Sequence, residues 1–213
     1  MSDREGIHER AERFFEELWR KGDQWEFDSS EYERERIQRL RDAISDRRYE
    51  RALELGCGAG HFTRLLAAVA DRTLALDIAP AAIEEARRRG AGPGTVEYRV
   101  ANIMEYEPRA DAPFDLIALV ETVYYIGWLY PFFDLAWLAR ELFEATRPGG
   151  RLLLSNTIGE NTGDALLLPW VIRSYHDLFV NAGFAAEREE TFRGRKHGVE
   201  LEVLISVLER PLG

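Results

Sequence analysis

Between the short apolar strand Ala52-Leu53-Glu54-Leu55 and a helical run from Phe62 to Val69 stand Gly56-Cys57-Gly58-Ala59-Gly60. Three alternating glycines let a backbone turn sharply from strand to helix and let a ligand approach it closely. The fingerprint G-x-G-x-x-G of dinucleotide-binding corners needs its third glycine at position 61, where His61 stands. The pattern is therefore G-x-G-x-G, preceded by an acid at Glu54. Pyrophosphate wants N–H donors and no carboxylate nearby. An acid just before the turn suits a ligand that carries an amino group or a cation. Asp77, at the end of the next strand, is placed to accept from ribose hydroxyls.

The flanking chain has the texture such a corner requires. Strands are expected at Leu74–Leu76, Thr95–Val100, Phe114–Val120 and Arg151–Ser155, with helical patterns between them. Phe114–Val120 is apolar almost throughout, as a strand covered on both faces should be. A helix from Phe132 to Ala145 stops at Arg147-Pro148-Gly149-Gly150, and another from Trp170 to Asn181 ends at Gly183. Alternating units of this kind predict a mostly parallel sheet with helices on both faces. Two last strands, around Phe184–Phe192 and Val199–Leu208, flank a short Gly-bearing loop and should pair antiparallel. The expected fold is α/β: a Rossmann-like, seven-stranded, mostly parallel sheet with an antiparallel C-terminal hairpin.

The first fifty residues read as helical. Ile7, Ala11, Phe14, Phe15 and Leu18 recur at helical spacing, and Gly22-Asp23 breaks the run. Ser30 with Glu33 looks like a capping box for a second helix bearing Ile37, Leu40 and Ile44. The polar connector between the two holds Trp25 and Phe27. The chain of 213 residues is read as one domain, with residues 1–50 a helical lid and 51–213 the core.

Glu-x-Gly-x-Gly-x-Gly after the first strand, the acid after the second, and seven strands ending in a hairpin resemble the class I S-adenosylmethionine-dependent methyltransferases. The resemblance covers about residues 50–209. It implies that Glu54, Gly56, Cys57, Gly58 and Gly60 bring the backbone to the methionine part of S-adenosyl-L-methionine. It also implies that Asp77 holds the ribose, with Ile78 beside the adenine. Asn102, where the family often has Asp, would accept from the adenine amino group through its side-chain oxygen. Ile103 would pack on the adenine face, and Val120 would lie beside the sulfonium. A narrower resemblance is to the NodS-like subgroup, whose best-known members N-methylate an amino sugar. It rests on Asp23-Gln24-Trp25, on Ser30-Glu31-Tyr32-Glu33 leading into an Arg-rich helix, and on Val120-Glu121-Thr122-Val123-Tyr124-Tyr125. Gln24 stands where that subgroup often has Pro. The resemblance implies that Trp25 and Arg36 fold over the cofactor from the N-terminal helices, with Arg36 meeting its carboxylate.

Seven aromatics fall between Tyr124 and Trp137, directly after the strand expected to face the sulfonium. They read as an acceptor wall or lid, against helix packing or a dimer contact. Glu121 is the carboxylate nearest the expected reaction centre and Tyr124 is placed to orient an acceptor; these two are the catalytic candidates. Cys57 reads as passive packing, and the basic loop Arg193–His197 as a solvated hairpin tip. No ligand cluster suggests a metal. A net charge of −10 argues against non-specific binding to nucleic acid or anionic membrane. One cysteine excludes an internal disulfide, and no apolar run approaches a membrane span of roughly 18 residues. The charged start lacks a signal-peptide core, so the chain reads as cytoplasmic, a monomer or weak homodimer. The function expected is methyl transfer to a small-molecule acceptor, an amino sugar or glycoside. The rivals are an O-methyltransferase of secondary metabolism and a non-catalytic module with the same fold.

Overall fold

Parallel strands have to be joined by crossovers, and here each crossover is a helix that buries its apolar stripe on the sheet. A computed structural model describes residues 4–90, 92–159 and 164–213. Two helices lead, α1 (Arg4–Arg20) and α2 (Glu31–Ile44). There follow β1 (Tyr49–Leu55), α3 (His61–Val69), β2 (Ala70–Asp77), α4 (Pro80–Arg89), β3 (Thr95–Val100), α5 (Pro108–Asp111) and β4 (Phe114–Val120). Then come α6 (Val123–Leu129), α7 (Phe132–Ala145), β5 (Thr146–Ile158), α8 (Pro169–Ala182), β6 (Ala185–Lys196) and β7 (Val199–Glu209). The strand order is β3-β2-β1-β4-β5-β7-β6. The first five run parallel, and β7 pairs antiparallel with both β5 and β6. The expected mostly parallel sheet with its antiparallel hairpin is the architecture found.

Alternation along the strands divides the core. Leu53, Leu55, Ile117, Leu119, Leu152 and Leu154 point to the side covered by α7 and α8. Ala52, Leu116, Ala118 and Leu153 point to the side where α2 and α3 pack through Leu40, Ile44, Phe62 and Leu66. Central β4 carries side chains from Leu116 to Leu119 with no exposed surface, which is why it reads as an unbroken apolar run.

Three local expectations change. The fifth strand is longer than Arg151–Ser155, because Arg147-Pro148-Gly149-Gly150 bulges out of the ladder rather than ending it. Phe114 pairs with Thr146, Leu116 already pairs with Arg151, and Gly149 and Gly150 exchange backbone bonds with Arg210. The second strand begins at Ala70, its polar first half pairing with β1 and β3 at the sheet's solvated end. The capping box at Ser30 is half made. The Ser30 hydroxyl accepts from the Glu33 N–H at 3.4 Å, while the Glu33 carboxylate turns to Arg36 and Lys196. Among the described residues no helix is long and apolar enough to cross a membrane.

α8 is fastened to the sheet by a polar contact inside the core. His176 lies 2.9 Å from Ser206 Oγ on β7 through Nδ1 and 2.9 Å from Asn156 Oδ1 on β5 through Nε2, all three residues buried. Burial pushes the imidazole down to about 4, so it is neutral in the folded state. An unfolded histidine titrates near 6.5. The stability that neutral His176 supports is therefore complete above that value and lost as pH falls toward 4, by about 3 kcal/mol. Urea unfolding of His176→Gln should be less stable at pH 7.5 but flatter between pH 6.5 and 4 than the parent. Equal slopes would show that His176 takes no part.

Candidate active site

The strand order reverses between β1 and β4, whose following helices leave to opposite faces of the sheet. The crevice at their carboxyl ends is where open α/β sheets take ligands. It holds a cavity of about 410 Å³, within the roughly 300–1,000 Å³ of small-molecule sites.

The floor is the glycine turn. Gly56 N–H and Cys57 N–H both donate to the Leu76 carbonyl, tying the turn to β2 at 2.8 and 2.9 Å. Gly58 sits at φ +52°, and a Cβ there would lie 2.5 Å from the Trp19 ring, so only glycine admits that close approach. Asp77 braces the turn against the start of α4: Oδ2 accepts from Gly58 N–H at 2.8 Å and Oδ1 from Ala79 N–H at 2.9 Å. Burial pushes Asp77 up to about 6. Cys57 is buried and its thiol is raised far above the ordinary range by that burial.

Glu54 is the unusual member. It is 2% exposed, and neither its Oε2 nor the neighbouring Thr63 Oγ1 makes a hydrogen bond of good geometry; burial pushes it up to about 8, with Thr63 drawing it partly back. A buried carboxyl oxygen without a partner carries a desolvation penalty of about 1–3 kcal/mol, which a hydrogen-bond donor would relieve.

Ile78, Asn102 and Ile103 line the side below β2 and β3. Asn102 Oδ1 already accepts from Met104 N–H at 2.9 Å, and its amide nitrogen lies 2.7 Å from His8 Nδ1 and 3.1 Å from the Tyr130 hydroxyl. The roof comes from the N-terminal segment: Ala11, Phe15 and Trp19 of α1, then Trp25 and Phe27. Trp19 meets Trp25 at 5.0 Å between ring centroids, and Phe27 stacks on His61 at 4.6 Å.

The far wall is Val120, Glu121, Thr122, Tyr124 and Tyr125. Glu121 holds φ at +54°, a left-handed conformation costly for a residue with a Cβ. Three bonds hold it there. Its N–H donates to the Ser155 carbonyl at 2.8 Å, Oε2 accepts from Thr157 N–H at 2.9 Å, and Oε1 accepts from Arg36 at 3.2 Å. Burial pushes the Glu121 carboxyl and the Tyr124 phenol up, while Arg36 pulls Glu121 back. Arg36 is itself buried and gives its Nε and Nη2 to Glu33 at 2.9 and 2.7 Å. Its guanidinium is thus engaged by two protein carboxylates.

The cavity brings together every candidate named from sequence except Gly60, which lies behind it at the start of α3, against the Tyr98 hydroxyl. The aromatic stretch splits: Tyr124, Tyr125 and Tyr130 line the cavity, whereas Trp128, Phe132, Phe133 and Trp137 are half or more exposed. Sequence reasoning missed Trp19, Tyr32 and Lys196. The basic loop is not simply a solvated tip, because Lys196 is half-buried in the cavity wall and bonds the Trp25 carbonyl and Glu33. No local signal marks Trp19 or Lys196, which are placed by contacts between distant segments; Tyr32 stands in the motif Ser30-Glu31-Tyr32-Glu33, which carried the resemblance without assigning it a place in the site. Asp23, Asp28 and His61 form a cluster with metal-ligand reach among the described residues. Asp28 is occupied by Arg89, which donates to both its oxygens at 2.7 Å.

The family model described as Nodulation protein S (NodS) matches residues 9–134. Nodulation protein S of Rhizobium tropici is 31% identical over 140 residues, 65% of this chain and 57% of that protein. Ubiquinone biosynthesis O-methyltransferase of Xylella fastidiosa strain 9a5c is 34% identical over 106 residues, 49% of this chain and 41% of that one. The chain thus matches 57% of the length of the first relative and less than half of the second. The N-methyltransferase NodS from Bradyrhizobium japonicum WM9, solved with S-adenosyl-L-homocysteine, superposes with a TM-score of 0.74 at 23% identity, covering 96% of both chains. That likeness carries the fold.

Glu54 makes the ligand-free protein sensitive to alkali. Its folded value near 8 lies above the ordinary carboxylate value of 4.5, so its contribution is whole below 4.5 and lost as pH rises through 8. Glu54→Gln should melt higher than the parent at pH 8 and similarly at pH 4.5, a gap of up to roughly 4 kcal/mol. Parallel melting curves against pH would mean the carboxyl is solvated.

Proposed function

We propose that this chain, which belongs to the nodulation protein S (NodS) family, transfers a methyl group from S-adenosyl-L-methionine to a nitrogen of a small-molecule acceptor, an amino sugar or glycoside. The observation that carries the reading is the buried Glu54 carboxyl, one oxygen unpaired, at the glycine turn on the lining of a cavity large enough for a nucleoside and its partner. The cofactor has an amino group for Glu54 and ribose hydroxyls for Asp77, so the residues present fit it. Ile78 and Ile103 would flank the adenine, Asn102 would meet its edge, and Val120 would lie beside the sulfur. Gly56, Cys57, Gly58 and Gly60 would give the backbone its close approach. When bound, the cofactor supplies a methyl already activated on a sulfonium.

The protein's share is then alignment and exclusion of water. Trp25, Arg36 and the α1 face close the cavity from above, and residues 1–50 act as a lid on the core of residues 51–213. Tyr124 and Tyr125 present an aromatic wall with polar tips to the acceptor. A nitrogen acceptor must arrive with its lone pair free, and Glu121 accepts an N–H from it, turning that lone pair toward the methyl. Burial of Glu121 raises its basicity, which suits it to receive the proton that the methylated nitrogen sheds.

Two measurements test this. Calorimetry should show S-adenosyl-L-homocysteine binding and NADH not binding. Asp77→Ala should weaken that binding by about 1.5–3 kcal/mol. An Asp77→Ala protein with lowered melting temperature but unchanged affinity would make Asp77 a brace of the turn and nothing more. An acceptor screen with radiolabelled cofactor over amino sugars, glycosides and phenols should place label on nitrogen of the amino sugars and lose it in Glu121→Gln. Label appearing only on phenols would overturn the nitrogen reading.

A further inference from the structure

A row of alternating charges runs from the tip of the C-terminal hairpin to the far wall of the cavity. Lys196, at the end of β6, donates to Glu33 Oε1 at 2.9 Å and to the Trp25 carbonyl at 2.5 Å. Glu33 Oε2 accepts from Arg36 through Nε and Nη2, and Arg36 Nη1 reaches Glu121 Oε1 at 3.2 Å. The side chains of Lys196, Glu33, Arg36 and Glu121 are 15%, 7%, 4% and 18% exposed. So the row reads cation, anion, cation, anion in poorly solvated surroundings. Three segments far apart in sequence supply it: the hairpin tip, α2 and the residue that follows β4.

We propose that Lys196 is a positioning residue for the transfer reaction, completing the charge row that keeps Arg36 available to Glu121 and strapping the connector at Trp25 over the cavity. The argument is one of shared counter-charge. Arg36 alone faces two carboxylates. With Lys196 neutralising Glu33, one guanidinium arm is free to hold Glu121. Without Lys196, the row carries one excess negative charge in a medium that screens it weakly. Glu33 then competes for Arg36, and Glu121 takes up a proton at higher pH. Asp164 stands on the cavity lining beside Tyr125. Tyr32, Glu33 and Arg36 face Glu121 from α2, and Tyr124 and Tyr125 face it from α6. Near Lys196 stands Glu26, 4.0 Å away and engaged by His197 at 2.6 Å. Glu26 therefore has its own partner and competes little with Glu33 for Lys196, whose contact with Glu33 is the closer at 2.9 Å.

The proposal rests on the methyl-transfer reading only in that Glu121 faces the acceptor; its test needs neither cofactor nor acceptor. Carboxyl ¹³C resonances of glutamate-labelled full-length protein would be followed against pH, with Glu121 assigned by its loss in Glu121→Gln. Lys196→Gln keeps a donor for the Trp25 carbonyl but removes the charge, and Lys196→Arg keeps the charge. The Glu121 midpoint should rise by about half a pH unit or more in Lys196→Gln and return toward the parent value in Lys196→Arg. Hydrogen exchange at residues 23–28 should quicken in Lys196→Met, which removes charge and donor together, more than in Lys196→Gln. An unmoved Glu121 midpoint in Lys196→Gln, with only the melting temperature lowered, would make Lys196 a structural strap and overturn the proposal while leaving the methyltransferase reading untouched.

Discussion

A buried carboxyl group, Glu54, one of whose oxygens has no hydrogen-bond partner, sits at the point where the sheet changes direction. β1 is followed by α3 on one face, and β4 is followed by α6 and α7 toward the other. Neither connection covers the carboxyl ends of both strands, so their last residues open onto a crevice. Leu55 points into the core, and Glu54, by the alternation of the strand, points to the α3 side beneath the glycine turn. A hydrophobic residue at that point would pack better. The fully buried strand residues on either side of it, Leu53, Leu55, Ile117 and Leu119, supply the apolar burial that offsets this one unsatisfied group. The same reversal of strand order thus creates the cavity and puts the carboxyl in it.

The crevice explains why two strained or crowded backbone positions persist around it. Gly58 tolerates the Trp19 ring against its Cα because it has no Cβ. Glu121 holds its left-handed backbone because partners on α2 and β5 over-determine it. The strain lies on the wall opposite Glu54, at the end of the other strand of the reversal. Backbone strain of this kind gathers where side chains must be aimed rather than merely packed.

What sequence could reveal followed the range of the interactions involved. The glycine turn, Asp77 and the apolar β4 are each written within a few residues, because a tight corner and a twice-covered strand impose local residue types. The mostly parallel sheet followed from alternation of strands and helices, while the order of its strands did not. Lys196 was invisible, since nothing within Arg193–His197 distinguishes a lysine turned toward Trp25 from one turned toward water. Arg147-Pro148-Gly149-Gly150 has the composition of a loop and the behaviour of a bulge. The difference lies in Arg210, sixty residues downstream, whose backbone pairs with Gly149 and Gly150. Ile7, Ala11, Phe14, Phe15 and Leu18 read as an amphipathic stripe, yet Ala11 is the one fully buried residue of α1. The stripe divides its apolar residues: Ala11 and Phe15 roof the cavity, Ile7 packs on the core and Phe14 meets Trp128.

The attachment of that roof decides whether a ligand can govern it. α1 meets α6 through edge-on aromatic pairs, Phe15 with Tyr125 at 5.2 Å and Phe14 with Trp128 at 5.7 Å. Such pairs contribute about 0.5–1.5 kcal/mol each beyond the area they bury. Glu16 accepts from Ala81 N–H at 2.9 Å, serving as the cap that α4 lacks at its own Ala79, and caps contribute about 1 kcal/mol. The Arg4–Asp134 pair is exposed on the arginine side and adds at most about 1 kcal/mol. These attachments come to a few kcal/mol against the ordering entropy of seventeen helical residues. A ligand at a hundred times its dissociation constant contributes about 2.7 kcal/mol to the state that binds it. The two quantities are of one size. A roof held by edge contacts, one cap and the polar contacts of Arg4 and His8 is thus within reach of a ligand's binding free energy, as the proposed lid requires.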